Sequence, residues 1–235
     1  MKVGIMQPYF FPNLGHFALI NEVDKWIVFD GVQFIRHGWI ERNRILKPSE
    51  GVQYISVPLV KSGRDTLIRD TKIRSYEPWK DKLLSQLNHY KKRAPHYRKV
   101  VQFLEKSFEF ETDSIVDLNM HLLRATCDHL SIQFDAEIYS RMNLDHPEVH
   151  EPGDWALEIS KAVKATNYIN PIGGKELFDS EKYAKNGVRI NFLEFQPTAY
   201  PQKGNQFESG LSIIDVMLFN SIDEIKEMLL KFELT

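Results

Sequence analysis

The chain has 235 residues, 43% hydrophobic and 26% charged, proportions that support a buried core of ordinary size and exclude long disorder. Lys and Arg number 30 against 32 Asp and Glu, a formal net charge of -2. No global field therefore favours nucleic acid or an anionic membrane as partner.

The single cysteine, Cys127, cannot form an internal disulfide and reads as a small apolar core residue of a protein from a reducing compartment. Residues 1–8 lack the pattern of a signal peptide, and no apolar run approaches the ~20 residues that cross a bilayer. The expectation is a cytoplasmic protein without membrane insertion.

Residues 3–6 read as a short buried strand, ended by Pro8. A turn rich in proline and aromatic residues follows. Phe17, Leu19, Ile20 and Val23 then have helical spacing, and 26–29 is a second apolar strand closed by Asp30-Gly31. Strand, helix, strand in this order is a βαβ unit, which builds parallel sheets with right-handed crossovers. Residues 40–60 carry further strand signals up to a turn at 61–64, and 67–73 reads as another strand.

From 78 to 130 the pattern turns helical, with helices expected at about 79–92, 97–108 and 113–130. Ala94-Pro95 stops the first, and Thr112 or Asp113 caps the third. Alternation then resumes. An amphipathic helix is expected at 154–164, a strand at 168–172 running into Gly173-Gly174-Lys175, a strand at 188–195, and helices at 211–219 and 222–232. The expected fold is α/β, Rossmann-like, with a mostly parallel sheet flanked by helices. The expected organisation is a single domain over 1–235, with a helical insertion or subdomain at about 78–130.

In open α/β sheets, ligands sit beyond the carboxyl ends of the strands, often against helix N-termini. Gln7, Tyr9, Asn13, Gly15 and His16, between the first strand and first helix, are therefore candidates. Asp30 ends the second strand at the same sheet edge and is a candidate general base. Arg36, Arg42 and Arg44 supply planar donors suited to phosphate or carboxylate. Arg42 and Arg44 face the same side of a strand at i, i+2 spacing, with Asn43 between them. A solvated charged edge is the plainer account of these arginines.

Gly173-Gly174-Lys175 resembles a phosphate cradle without P-loop spacing, and a simple turn explains it equally well. Asp215, three residues beyond Ser212, reads as a variant capping box. His146, Glu148, His150 and Glu151 match no recognised ligand motif, and no metal is expected there.

Taken together, Met6-Gln7-Pro8-Tyr9-Phe10-Phe11-Pro12, Trp39 with Arg42-Asn43-Arg44-Ile45, Val57-Pro58-Leu59, Tyr200-Pro201-Gln202 and Leu211-Ser212-Ile213-Ile214-Asp215 resemble the WbqC-like family. The resemblance spans nearly the whole chain. It implies a bacterial protein of surface-polysaccharide or O-antigen biosynthesis, and it adds Gln202 to the candidate binding residues.

Asn13-Leu14-Gly15-His16 is also similar to the T/H-x-G-H motif of nucleotidyltransferases and of ligases such as pantothenate synthetase, whose motif histidines contact ATP phosphates. Here Asn13 stands where those enzymes have Thr or His, and Gly173-Gly174-Lys175 is a loose substitute for their second motif.

The two resemblances imply a transferase or ligase that moves an amino acid or other acyl group onto the amine of a nucleotide-linked amino sugar, using ATP with magnesium. Asp30 and His16 would be catalytic. Gln7, Tyr9, Asn13, Gly15, Arg42, Asn43, Arg44, Gly173, Gly174, Lys175 and Gln202 would bind nucleotide or substrate. One alternative is a glycosyltransferase using a sugar nucleotide, with Asp30 or Asp215 as base or metal ligand. Another is a non-catalytic partner in a glycan-assembly complex, which the aromatic content near the first loop also suits.

Overall fold

The first thirty residues build the βαβ unit that their pattern predicts. In the computed structural model, which describes residues 1–74, 77–149, 151–202 and 206–235, β1 (Lys2–Met6) and β2 (Lys25–Val28) pair in parallel across helix α1 (Leu14–Glu22). Alternate side chains take opposite faces. Val3, Ile5 and Ile27 enter one apolar layer, and Trp26 and Val28 the other. Gly4 makes room for Trp26, because a Cβ there would lie 2.8 Å from the indole ring. In α1, Phe17, Leu19 and Ile20 are fully buried. A helix apolar on most sides is one held between layers.

The chain then forms a separate antiparallel hairpin, β3 (Arg42–Leu46) with β4 (Val52–Ser56). The strand expected at 67–73 does not form. Its centre is a 3-10 turn at Ile68–Asp70, flanked by isolated bridges at Leu67, Lys72 and Ile73. The Thr71 hydroxyl donates to the Leu67 carbonyl at 3.1 Å, and such local bonds compete with a ladder.

The helical stretch contains α2 (Trp79–Gln86), α3 (Tyr97–Ser107) and α4 (Ile115–Leu130). The helix expected to reach 92 ends at Gln86, and a 3-10 turn continues over Asn88–Lys92. The N-cap of α4 is Ser114, whose hydroxyl accepts from the Asp117 N–H. Cys127 is buried in α4, as expected, and burial pushes its thiol up to about 12.

The remainder comprises β5 (Ala136–Ile138), α5 (Asp154–Ala162), β6 (Asn167–Pro171), α6 (Ser180–Lys185), β7 (Arg189–Phe195), α7 (Ile213–Phe219), α8 (Ile222–Leu229) and β8 (Phe232–Leu234). The six-stranded sheet runs β5-β2-β1-β6-β7-β8. Every neighbouring pair is parallel except β7 with β8. Helices α5 and α6 cover one face, and α1, α4 and α8 lie in the apolar layer on the other. The fold is therefore α/β in a Rossmann-like arrangement, a mostly parallel sheet flanked by helices. The closing helix is shorter than its pattern predicts, because Phe232 pairs with Phe195 and turns the last residues into an edge strand. Among the described residues, no helix is long and apolar enough to cross a membrane.

Candidate functional site

The strand order places a switch between β1 and β6. From β1 the sheet grows outward through β2 to β5, and the chain then returns to lay β6, β7 and β8 on the other side. Pairing of β1 with β6 covers only Lys2–Asn167 and Val3–Tyr168. By contrast, β1 follows β2 to Met6–Val28, and β6 follows β7 to Pro171–Leu193. The carboxyl halves of β1 and β6 are thus free of each other, and a cavity of about 860 Å³ opens there. Ligands of open α/β sheets occupy this crevice, and the volume suits a nucleotide-sized molecule.

One wall is the turn leaving β1, and three buried side chains fix it. Asn43 donates its amide to the carbonyls of Phe10 (3.1 Å) and Phe11 (2.8 Å). Asn119, from the middle of α4, donates to Pro8 (2.7 Å) and Ile40 (2.8 Å). The Ser212 hydroxyl donates to Phe11 at 2.8 Å. The turn needs this support because Phe11 has φ 40, a left-handed conformation that a bulky residue rarely adopts. Asn13 then caps α1, its side chain accepting from the His16 N–H at 3.3 Å.

Aromatic rings stand on several sides of the lining. Phe29, Trp155 and Phe178 stand on the α5 side, and the part-exposed rings of Trp39 and Phe207 mark the mouth. Against this wall, among the described residues, stand one guanidinium, Arg44, and one carboxylate residue, Glu208. Arg44 lies 5.5 Å from the Trp39 ring centroid, donates to the Gly210 carbonyl at 3.3 Å, and has a buried Nε without a partner. Gly210 is glycine for two reasons: its φ is +67, and a Cβ would lie 3.3 Å from the Arg44 guanidinium.

Behind the rim, fully buried Asp215 accepts from the Tyr90 hydroxyl (2.5 Å) and the Tyr200 hydroxyl (2.8 Å). Burial pushes its carboxyl up to about 6, against the pull of those bonds. The capping-box reading of Asp215 is thereby corrected. Ser212 does cap α7, accepting from the Ile214 N–H at 3.3 Å, but Asp215 turns to the two tyrosines.

The structure gathers Gln7, Tyr9, Asn13, Gly15, His16, Asn43, Arg44, Gly173 and Gly174 on the cavity lining. Within that group the roles differ. Gly15 serves close packing, since a Cβ would lie 3.2 Å from Phe195. Burial raises the Tyr9 hydroxyl above its ordinary range. His16 is 6% exposed, its ring 4.9 Å from that of Trp26, its Nε2 unpartnered. Burial lowers its pKa to about 3, so the imidazole is neutral at ordinary pH.

Four expected residues lie apart from the cavity lining. Asp30 is buried and accepts from the Ser140 N–H (3.0 Å) and hydroxyl (2.6 Å), tying β2 to the segment after β5. Arg42 lies 4.2 Å from the Tyr54 ring centroid and donates to the His37 carbonyl at 2.5 Å. Lys175 is exposed, its ammonium 5.8 Å from the Phe192 ring centroid. Gln202 grips the main chain of Glu208, accepting from its N–H at 2.7 Å and donating to its carbonyl at 3.0 Å. Arg36, also expected near phosphate, donates to the Ser62 carbonyl at 2.6 Å. Of the histidine and glutamate group at 146–151, His150 lies outside the described residues.

Trp39, Trp155, Asn170, Tyr200 and Glu208 line the cavity but lie outside the expected site residues, although Trp39 and Tyr200 stand in the motifs that carry the family resemblance. Asn170 carries the clearest signal, a polar residue ending an apolar strand. Its side chain accepts from the Tyr168 hydroxyl at 2.8 Å.

The model of the WbqC-like protein family matches residues 7–227. An uncharacterized protein of Mycobacterium tuberculosis (strain ATCC 25618 / H37Rv), Rv1507c, is 29% identical over 226 residues, covering 93% of each chain. No solved structure gives a significant match.

Proposed function

The chain belongs to the WbqC-like protein family, and from that premise we propose that it is a transferase of bacterial surface-polysaccharide biosynthesis. Its cavity binds a nucleotide-linked amino sugar, and an amino acid or other acyl group is moved onto the sugar's amine. In that reaction a bond forms between the amine nitrogen and the acyl carbon. The bond from that carbon to its leaving group breaks, and one proton leaves the nitrogen.

The observation that carries the reading is the opening between β1 and β6 with Arg44 on its wall and no carboxylate paired to it among the described residues. A guanidinium with no carboxylate partner among the described residues, in a partly apolar site, favours a phosphate or carboxylate ligand. The aromatic faces suit a base or a sugar ring, and the volume suits one nucleotide at a time. ATP with magnesium, expected from the sequence, is given no step at this cavity. A lining with one guanidinium and one carboxylate residue is a sparse set for a magnesium triphosphate.

A thermal-shift series tests the reading. UDP-glucosamine is expected to raise the melting temperature of the wild-type protein and to leave that of Arg44→Ala almost unmoved. A shift with ATP and none with any UDP- or dTDP-linked sugar would remove the sugar nucleotide from the cavity. Silence from all of them would favour a non-catalytic partner in glycan assembly.

A further inference from the structure

We infer that Glu208 is the residue that holds the acceptor amine and takes its proton during transfer. The inference rests on the proposed function and adds to it a catalytic residue and the position of the reacting nitrogen.

Glu208 is the single acidic residue among the described residues lining the cavity, as Arg44 is the single Lys or Arg. No ion pair joins either of them to another described residue, or to each other. Glu208 is half-buried on the cavity lining, and among the described residues no counter-charge stands against it. A ligand carrying both an anion and an ammonium would satisfy Arg44 and Glu208 together. A diphosphate-linked amino sugar has that charge pattern, whereas its hydroxyl or N-acetyl counterpart lacks the ammonium.

The protein spends a buried network on holding this residue still. Gln202 clamps its N–H and carbonyl, and Gln202 is only 3% exposed. Two residues before Gln202, Tyr200 is tied through its hydroxyl to Asp215. Two residues after Glu208, the Gly210 carbonyl accepts from Arg44. Contacts at Gln202 and Gly210 therefore tie the main chain around Glu208 to the Arg44 side of the cavity, as a site reading both ends of one ligand requires. In transfer, the ammonium first gives one proton to a Glu208 carboxylate oxygen, the freed nitrogen lone pair attacks the activated acyl carbon, the leaving group departs with its bonding electrons, and the second proton leaves the nitrogen for solvent.

Calorimetric titration with UDP-glucosamine, UDP-glucose and UDP-N-acetylglucosamine tests this. Wild-type protein is expected to bind UDP-glucosamine about tenfold or more tightly than the other two, in line with a charge-assisted contact. In Glu208→Gln that preference is expected to vanish, with affinity for UDP-glucose and the ligand-free melting temperature kept. Glu208→Asp is expected to retain part of the preference. Equal wild-type affinity for UDP-glucosamine and UDP-glucose would overturn the amine assignment and leave the sugar-nucleotide reading standing. So would a preference that survives in Glu208→Gln. A wild-type protein that binds none of the three overturns both.

Discussion

The side-chain amide of Asn43 donates to the carbonyl of Phe11 at 2.8 Å, holding a bulky residue whose φ is 40. A non-glycine residue in this region costs about 1–3 kcal/mol and persists where its surroundings over-determine it. Asn43→Ala is expected to destabilise the protein by about 2 kcal/mol, the scale of a buried hydrogen bond left unmade. Asn43→Asp should be worse, since it turns a carboxylate oxygen toward two carbonyl oxygens. Urea unfolding checks the order, and an Asp variant at least as stable as the Ala variant would remove Asn43 as the turn's anchor.

Two buried groups give opposite pH dependences. His16 stays neutral in the native state down to about 3, while the unfolded chain takes up this proton near 6.5. Its contribution to stability is therefore full above about pH 6.5 and is lost as pH falls toward 3. Asp215 keeps its proton in the native state up to about 6, while the unfolded carboxyl releases it near 3.9. Its contribution is greatest below about pH 4 and declines as pH rises to about 6. Unfolding midpoints between pH 4 and 7 should show less acid loss in His16→Gln than in wild type. Asp215→Asn should show less decline on the rising side. Curves parallel to wild type in both variants would contradict this account of the buried charges.

The two adjacent glycines after β6 should respond differently to a methyl group. At Gly174 a Cβ would lie 2.3 Å from the Asn170 amide, whereas at Gly173 nothing lies within 4 Å. Gly174→Ala is expected to displace Asn170 from Tyr168, lower stability by about 1–3 kcal/mol and weaken ligand binding. Gly173→Ala is expected to change neither. Equal effects, read by melting temperature and titration, would mean that the cavity wall does not depend on this packing.

Much of this was legible in the sequence, but by element rather than by arrangement. The βαβ unit, the helical block and the strands at β6 and β7 follow from apolar periodicity. The β1–β6 junction does not, because strand order is a property of long-range pairing. Asp30 shows the consequence. It ends a strand on the correct edge, yet β2 lies one strand away from the switch, and Ser140, 110 residues later, captures the carboxylate. Asn43 and Ser212 belong to sequence motifs for a reason that only contacts reveal: both hold the Phe11 carbonyl. The strand β8 is three residues long, too short for a period to register.

The two arginines of β3 separate by their surroundings. Arg44 lines the cavity, while Arg42 stacks on Tyr54 and is tied to the His37 carbonyl. Arg44→Lys keeps the charge but loses the planar fork, and is expected to weaken UDP-glucosamine binding by about 1–3 kcal/mol. Arg42→Lys is expected to leave binding within about twofold. The reverse ranking by calorimetry would move the anion site away from the cavity.

The central claim is that the opening between β1 and β6 is the ligand site, and a crystal structure of the protein with UDP-glucosamine tests it most directly. The account predicts density in that opening, with phosphate oxygens within hydrogen-bond distance of the Arg44 guanidinium and the sugar amine within reach of Glu208. Density bound elsewhere on the molecule, or a cavity left empty at saturating ligand, would contradict it.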